Sequence, residues 1–209
     1  MGRYLQDNWD ELKARRVLEL GAGVGLAGIL ASKLPGTEQV ILTDYDHGSL
    51  ELLDENIQLN LDAENSCMTT VEYLEWGKDR IIPISSTQAS SSGSEKMTRF
   101  SEISDAISES VSCGEVEDPD TFSLLLGTDL LYCTDIVKPL FKSAKMLLGN
   151  TKNSCFVLVS SFDPGQDIEE AVSVTCNKIG LMREEKIKLD TSQAICRVEY
   201  FRHVKSSLE

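Results

Sequence analysis

Gly21, Gly23, Gly25 and Gly28 follow directly on the apolar run Arg16 to Leu20, which carries one carboxylate, Glu19. A glycine has no Cβ, so its backbone can turn sharply and approach another group closely. Gly21 and Gly23 stand where a strand would end and are the positions for such a turn against a ligand. Gly25 and Gly28 are spaced to let the next helix pack closely on that strand. The first N–H groups of this helix would face an anion, so the predicted ligand is nucleotide-like. Two further carboxylates lie at ends of apolar runs: Asp44 closes QVILTD, and Asp129 interrupts FSLLLGTDLLY with Tyr132 three residues on. An unpaired carboxylate taken out of water is destabilising, so Asp129 must be paired or exposed in a cleft. The carboxyl end of a parallel strand is where such a cleft forms.

The elements that would hold these residues alternate along the chain. The strand Arg16 to Leu20 is followed by a helix with Leu26, Ile29 and Leu30 on one face, stopped at Pro35-Gly36. QVILTD is a second strand, followed by a helix in which Leu50, Leu53, Ile57 and Leu61 recur at intervals of three and four. MTTVEYLEW predicts a third strand and FSLLLGTDLLY a buried fourth. A helix is predicted over about Asp135 to Leu148, with Pro139 tolerated in its first turn. SCFVLVSSF is the fifth strand, and DIEEAVSVTCNKIG a helix with Ile168, Ala171, Val172 and Ile179 on one face. REEKIKLD and AICRVEYFRHV form a terminal antiparallel pair. The expected fold class is α/β: a doubly wound, Rossmann-like seven-strand sheet with a C-terminal antiparallel hairpin.

At 209 residues the chain is expected to form a single domain over 1–209. Ile84 to Asp120, rich in Ser, Glu and Asp, cannot bury enough apolar surface to stay ordered and reads as a surface insertion. Within it Phe100, Ile103, Ile107 and Val111 lie at near-helical spacing, which leaves two readings: a disordered loop whose apolar residues are incidental, or a short partner-binding helix. A formal charge of −14 argues against a nucleic-acid partner, and no apolar run is long enough for a membrane span. Six scattered cysteines without a C-x-x-C pair, two histidines and no secretion signal point to reduced thiols, no metal, and the cytosol or nucleus. A monomer is expected.

Gly23-Val24-Gly25-Leu26-Ala27-Gly28 also reads as the dinucleotide fingerprint G-x-G-x-x-G, a weak match that leaves Glu19 without a role. Parsed as Glu19-Leu20-Gly21-Ala22-Gly23-Val24-Gly25, the same stretch resembles the first motif of the seven-strand S-adenosylmethionine-dependent methyltransferases. YLEWG at the end of the third strand and GTDLLYC at the end of the fourth resemble the eukaryotic protein-lysine methyltransferases of that fold, and with ENIQLN are similar to the branch that acts on elongation factor two. The resemblance runs from about Arg16 to Leu148. It implies S-adenosylmethionine as cofactor, held by Glu19, Gly21, Ala22, Gly23, Gly25, Asp44, Tyr45, Trp76 and Thr128, with Asp44 accepting the ribose hydroxyls and Trp76 flanking the adenine. It implies Asp129 and Tyr132 as the catalytic pair, and a protein substrate presenting a lysine.

The chemistry asked of such a site is modest. A sulfonium methyl is already activated, so the nucleophile has only to be neutral and in line at roughly 3–3.5 Å. Neutralising a lysine of pKa ~10.4 at pH 7 costs roughly 4–5 kcal/mol. A carboxylate stabilises the ammonium, so Asp129 is assigned to capturing and orienting the amine, and Tyr132 to walling the channel. Two other readings stay open. MGRYLQDNWDEL begins inside the helix that in the family bears a cofactor-closing Trp, and Trp9 is misplaced for that role, so the fold could serve as a catalytically impaired binding module. A nicotinamide-dependent oxidoreductase is the other, for which the chain lacks a Tyr-x-x-x-Lys pair.

Overall fold

The computed structural model describes residues 1–12, 14–61, 67–78, 81–83, 121–191 and 194–204. The predicted insertion at 84–120, with Phe100, Ile103, Ile107 and Val111, lies outside the described residues.

Strands β1 (Arg16–Leu20), β2 (Gln39–Asp44) and β3 (Met68–Tyr73) alternate with helices α1 (Gly2–Leu12), α2 (Leu26–Ser32) and α3 (His47–Asn60). A two-residue strand β4 (Ile82–Pro83) pairs antiparallel with β3. Then come β5 (Leu124–Thr128), a 3-10 turn at Thr134–Ile136, α4 (Val137–Leu147), β6 (Cys155–Ser160), α5 (Gln166–Ile179), β7 (Leu181–Thr191) and β8 (Ala194–His203). Pro139 is the third residue of α4, where its missing N–H has no intrahelical partner to lose.

All the strands join one sheet in the order β4-β3-β2-β1-β5-β6-β8-β7. Strands β3, β2, β1, β5 and β6 are parallel, while β8 runs antiparallel to both β6 and β7. The expected terminal hairpin is present, but its second strand lies against β6 and pushes its first strand to the sheet edge. Seven long strands and the short β4 thus form the expected doubly wound sheet.

Strand alternation divides the core in two. Val17, Val40, Leu42, Leu124, Leu126 and Val157 face α1, α2 and α3, where Tyr4, Leu5, Trp9, Leu50 and Leu53 meet them. Leu18, Leu20, Ile41, Leu125, Phe156 and Phe201 face α4 and α5, packing on Leu140, Phe141, Ile168 and Val172. Phe201 completes this layer with Phe141 at a ring-centroid distance of 4.8 Å. Trp9 is a core residue: it is buried, and its indole N–H donates to Pro35 O at 2.9 Å. Helix α1 is thereby fastened to the loop between α2 and β2, at the amino end of the sheet.

The strand order reverses between β1 and β5, which leaves by crossovers in opposite directions. Their carboxyl ends, Leu20-Gly21 and Thr128-Asp129, therefore border the natural crevice of the fold.

Candidate active site

The glycine turn forms one wall of this crevice. Gly21 and Gly23 have φ of 60° and 55°, the left-handed region open to glycine at little cost. A Cβ on Gly23 would meet nothing within 4 Å, so this backbone faces open space. A Cβ on Gly21 would lie 2.9 Å from Leu130 Cδ2 and 3.0 Å from Trp76 Cζ2. The half-buried indole of Trp76 therefore lies against the turn, carried there by the loop that follows β3.

Asp44, at the end of β2, ties the turn in place. Its Oδ2 accepts the N–H of Gly23 at 3.0 Å, while Oδ1 accepts those of Tyr45 at 2.8 Å and Asp46 at 3.0 Å. A carboxylate has about four lone-pair positions, so these three bonds leave one for a ligand. The bond from Ala22 N to Thr43 O at 2.8 Å joins the turn to β2 a second time. Tyr45 projects outward and is 62% exposed.

The carboxyl end of β5 supplies the opposite wall. Thr128 has a buried hydroxyl oxygen without a hydrogen-bond partner. Asp129 is the sole non-glycine residue with positive φ among the described residues, at 57°. Its carboxylate reaches across to the segment after β6 and accepts from Ser161. Tyr132 is 61% exposed. Its hydroxyl is shifted above the ordinary tyrosine pKa, first by partial removal from water and then by the neighbouring Tyr45, Cys133 and Asp44. Tyr132 is thus close enough in space to feel Tyr45 and Asp44, although 87 residues separate Tyr45 from Tyr132 in the chain.

The residues expected at a cofactor thus fall into two groups. Gly21, Gly23, Asp44, Tyr45, Trp76 and Thr128 border the crevice with Asp129 and Tyr132. Glu19 and Gly25 face the packing of α2 on the sheet instead. Glu19 is 3% exposed, and its Oε2 accepts the N–H of Gly28 at 2.8 Å. A Cβ on Gly28 would come within 2.7 Å of that oxygen, so the glycine is what admits the carboxylate. A Cβ on Gly25 would strike Leu53 at 2.5 Å and Leu42 at 2.9 Å. Both glycines therefore do the close packing expected of them, whereas the acceptor met by the first turn of α2 is the carboxyl of the protein's own Glu19. Burial, and secondarily the charge of Asp44, push the Glu19 carboxyl up to about 8 against the opposing bond from Gly28. Ala22 is buried in the turn, at 8% exposure.

Two contributors have little mark in the sequence. Leu130 floors the turn through its contacts at Gly21 and Gly127, and reads in the sequence as one more core leucine. Ser161 is distinguished only by its position at the carboxyl end of a strand next to β5. Among the described residues no group of three His, Cys, Asp or Glu side chains is arranged to hold a metal, and no helix is long and apolar enough to cross a membrane.

The chain is similar to several known proteins. Residues 3–89 match the family model described as lysine methyltransferase. Methyltransferase-like protein 22 of Mus musculus is 30% identical over 159 residues, covering 75% of this chain and 35% of that protein. Protein N-lysine methyltransferase METTL21A of Mus musculus is 30% identical over 158 residues, covering 76% of this chain and 55% of that protein. The chain thus spans between about a third and about half the length of these two relatives. Among solved structures, the methyltransferase domain of bacterial-CtHen1-C superposes with a TM-score of 0.61 over 98% of this chain and 95% of that one, at 10% identity. The methyltransferase from Pyrococcus furiosus gives 0.58 over 95% and 83%, at 13% identity. At these identities the likeness is one of fold alone. The chain is thus similar in sequence to lysine methyltransferases, over residues 3–89 in the family model, and has the fold of methyltransferases of known structure.

Proposed function

We propose that the chain is an S-adenosylmethionine-dependent protein-lysine N-methyltransferase. The observation that carries this reading is the meeting, at one crevice, of a glycine turn braced by Asp44 with the Asp129 and Tyr132 pair. The crevice fits an adenosyl cofactor in three respects: bare backbone at Gly23 faces open space, Asp44 keeps one lone pair for a ribose hydroxyl, and Thr128 has a buried hydroxyl oxygen in need of a partner. Trp76, lying against Gly21, offers a flat apolar face for a base. When bound, S-adenosylmethionine supplies the activated methyl group.

The chain's own residues then have to deliver the amine. An incoming lysine arrives as ammonium, since its pKa is ~10.4. Asp129 attracts that charge and fixes the direction of approach, and Tyr132 forms the exposed wall of the entry. Loss of the proton is favoured by enclosure beside a cationic sulfonium and opposed by the Asp129 carboxylate. Asp129 is therefore an orienting group, and alignment, not basicity, is its contribution. The relatives' names support a protein substrate with a lysine. The strongly acidic chain favours a basic segment of that substrate. The free cysteines at 67, 133, 155, 176 and 196 accord with the reducing cytosol or nucleus, and a monomer is part of the same proposal.

The test is incubation of the purified chain with methyl-labelled S-adenosylmethionine and a eukaryotic cell extract, followed by gel and mass spectrometry. Label on a lysine side chain of a discrete protein is expected. Cofactor binding by calorimetry without transfer to any lysine would overturn the reading.

A further inference from the structure

Asp129 leaves β5 in an unusual way. Its N–H still donates to Val159 O at 2.9 Å, so the ladder with β6 runs one residue past the end of the strand. The backbone then turns left-handed, at φ 57°. That conformation costs a residue bearing a Cβ roughly 1–2 kcal/mol, and Asp adopts it when its side chain bonds locally. Here the bonds come from one residue of the neighbouring segment. Ser161 donates its N–H to Oδ1 at 2.6 Å, and its hydroxyl lies 2.9 Å from both Oδ1 and Oδ2. The side chain of Asp129 thereby takes the place a backbone carbonyl would hold in a continued ladder. Backbone strain at a crevice, held by surrounding bonds, is a common mark of a functional position.

We propose that Ser161 is a positioning residue for methyl transfer, locking the Asp129 carboxylate in the one orientation that can receive the substrate amine. This rests on the lysine methyltransferase reading above. The hydroxyl has a single hydrogen, so it satisfies one carboxylate oxygen at a time and leaves the other with free lone pairs. The N–H bond holds Oδ1 toward β6 but leaves the carboxylate free to swing about it; the hydroxyl removes that freedom, so that Oδ2 is presented to an ammonium in one direction. A carboxylate on an exposed, freely rotating side chain would capture the same charge without directing it, and misalignment by about 1 Å can lower the rate ~100-fold. Ser161 is exposed and in no part of the core, so its hydroxyl contributes little to folding.

The test compares Ser161→Ala and Ser161→Thr with the unmodified chain. Single-turnover transfer from labelled S-adenosylmethionine to protein in a cell extract is measured beside calorimetric cofactor binding and melting temperature. Ser161→Ala is expected to lose transfer roughly tenfold or more, with cofactor affinity and melting temperature unchanged. Ser161→Thr keeps the hydroxyl and restores transfer. In an Asp129→Asn background, Ser161→Ala has no further effect, because both changes act through one carboxylate. Full transfer by Ser161→Ala, or full additivity with Asp129→Asn, would overturn the role of Ser161 alone. An unmodified chain that methylates no lysine overturns the underlying reading and this proposal with it.

Discussion

The Oδ2 atom of Asp44 accepts the backbone N–H of Gly23 at 3.0 Å, joining the end of β2 to the turn after β1. This bond gives Asp44 two duties, since the same carboxylate is the one expected at a ribose. Asp44→Asn is nearly isosteric, but if its amide oxygen stays on the N–H groups of Tyr45 and Asp46, its NH2 faces the N–H of Gly23. We expect the turn to loosen and S-adenosylmethionine affinity to fall, at about 1.5–3 kcal/mol for each charge-assisted bond lost. Calorimetry gives the affinity and hydrogen exchange at Gly23 gives the turn; an unchanged dissociation constant would exclude Asp44 from the cofactor site.

Glu19 predicts a pH dependence. Its folded pKa of about 8 lies above the ordinary carboxyl value because burial penalises the charged form. The folded state therefore holds a proton that the unfolded chain releases near 4.5. Its contribution declines as pH rises from about 4.5 to about 8 and is level above that. Glu19→Gln keeps an acceptor for the Gly28 N–H and cannot ionise. Its melting temperature should gain on the unmodified chain between pH 5 and pH 8, a window read by calorimetric scans. Parallel pH curves for the two proteins would refute the assignment.

His203 predicts the opposite slope at a separate place. Its Nε2 lies 2.9 Å from Leu148 O, which can only accept, so Nδ1 is the acceptor for the Lys145 ammonium at 2.7 Å. Burial, then the charge of Lys145, lower the His203 pKa against the bond to Leu148. The unfolded chain takes up a proton first, so stability is lost as pH falls below about 6.5. His203→Gln should flatten that acid limb while leaving stability above pH 7 nearly unchanged.

The glycines of the turn separate packing from binding. Gly25→Ala forces a methyl against Leu53 and Leu42 and should cost the most stability, about 1–3 kcal/mol. Gly23→Ala has open space, so its cost is limited to the left-handed backbone, roughly 1–2 kcal/mol, but its methyl enters the crevice. Gly21→Ala must move Trp76 and Leu130. Denaturant melts should rank Gly25→Ala lowest in stability. Cofactor titration of the folded variants should rank Gly23→Ala and Gly21→Ala below the unmodified chain. A Gly23→Ala variant with full cofactor affinity would contradict the proposed ligand contact.

The sequence by itself determined the repeating strand and helix units, the bare turn after β1, and the carboxylates at the ends of β2 and β5. These depend on local period, on the absence of a Cβ and on the cost of burying charge, all readable within a dozen residues. It also determined that Glu19 points opposite to Leu18 and Leu20, because side chains alternate along a strand. What Glu19 meets was decided by the packing of α2, which brings the Gly28 N–H to its carboxyl group and buries it. Likewise a terminal antiparallel pair was legible, but β8 lies between β6 and β7 because Phe201 and Val198 fill both faces of the sheet there. The bonds that shape the crevice cross 21 residues from Gly23 to Asp44 and 32 from Asp129 to Ser161. No local period encodes such pairs. They arise only when parallel strands are laid side by side, their carboxyl ends come level, and each exposed N–H takes the nearest acceptor.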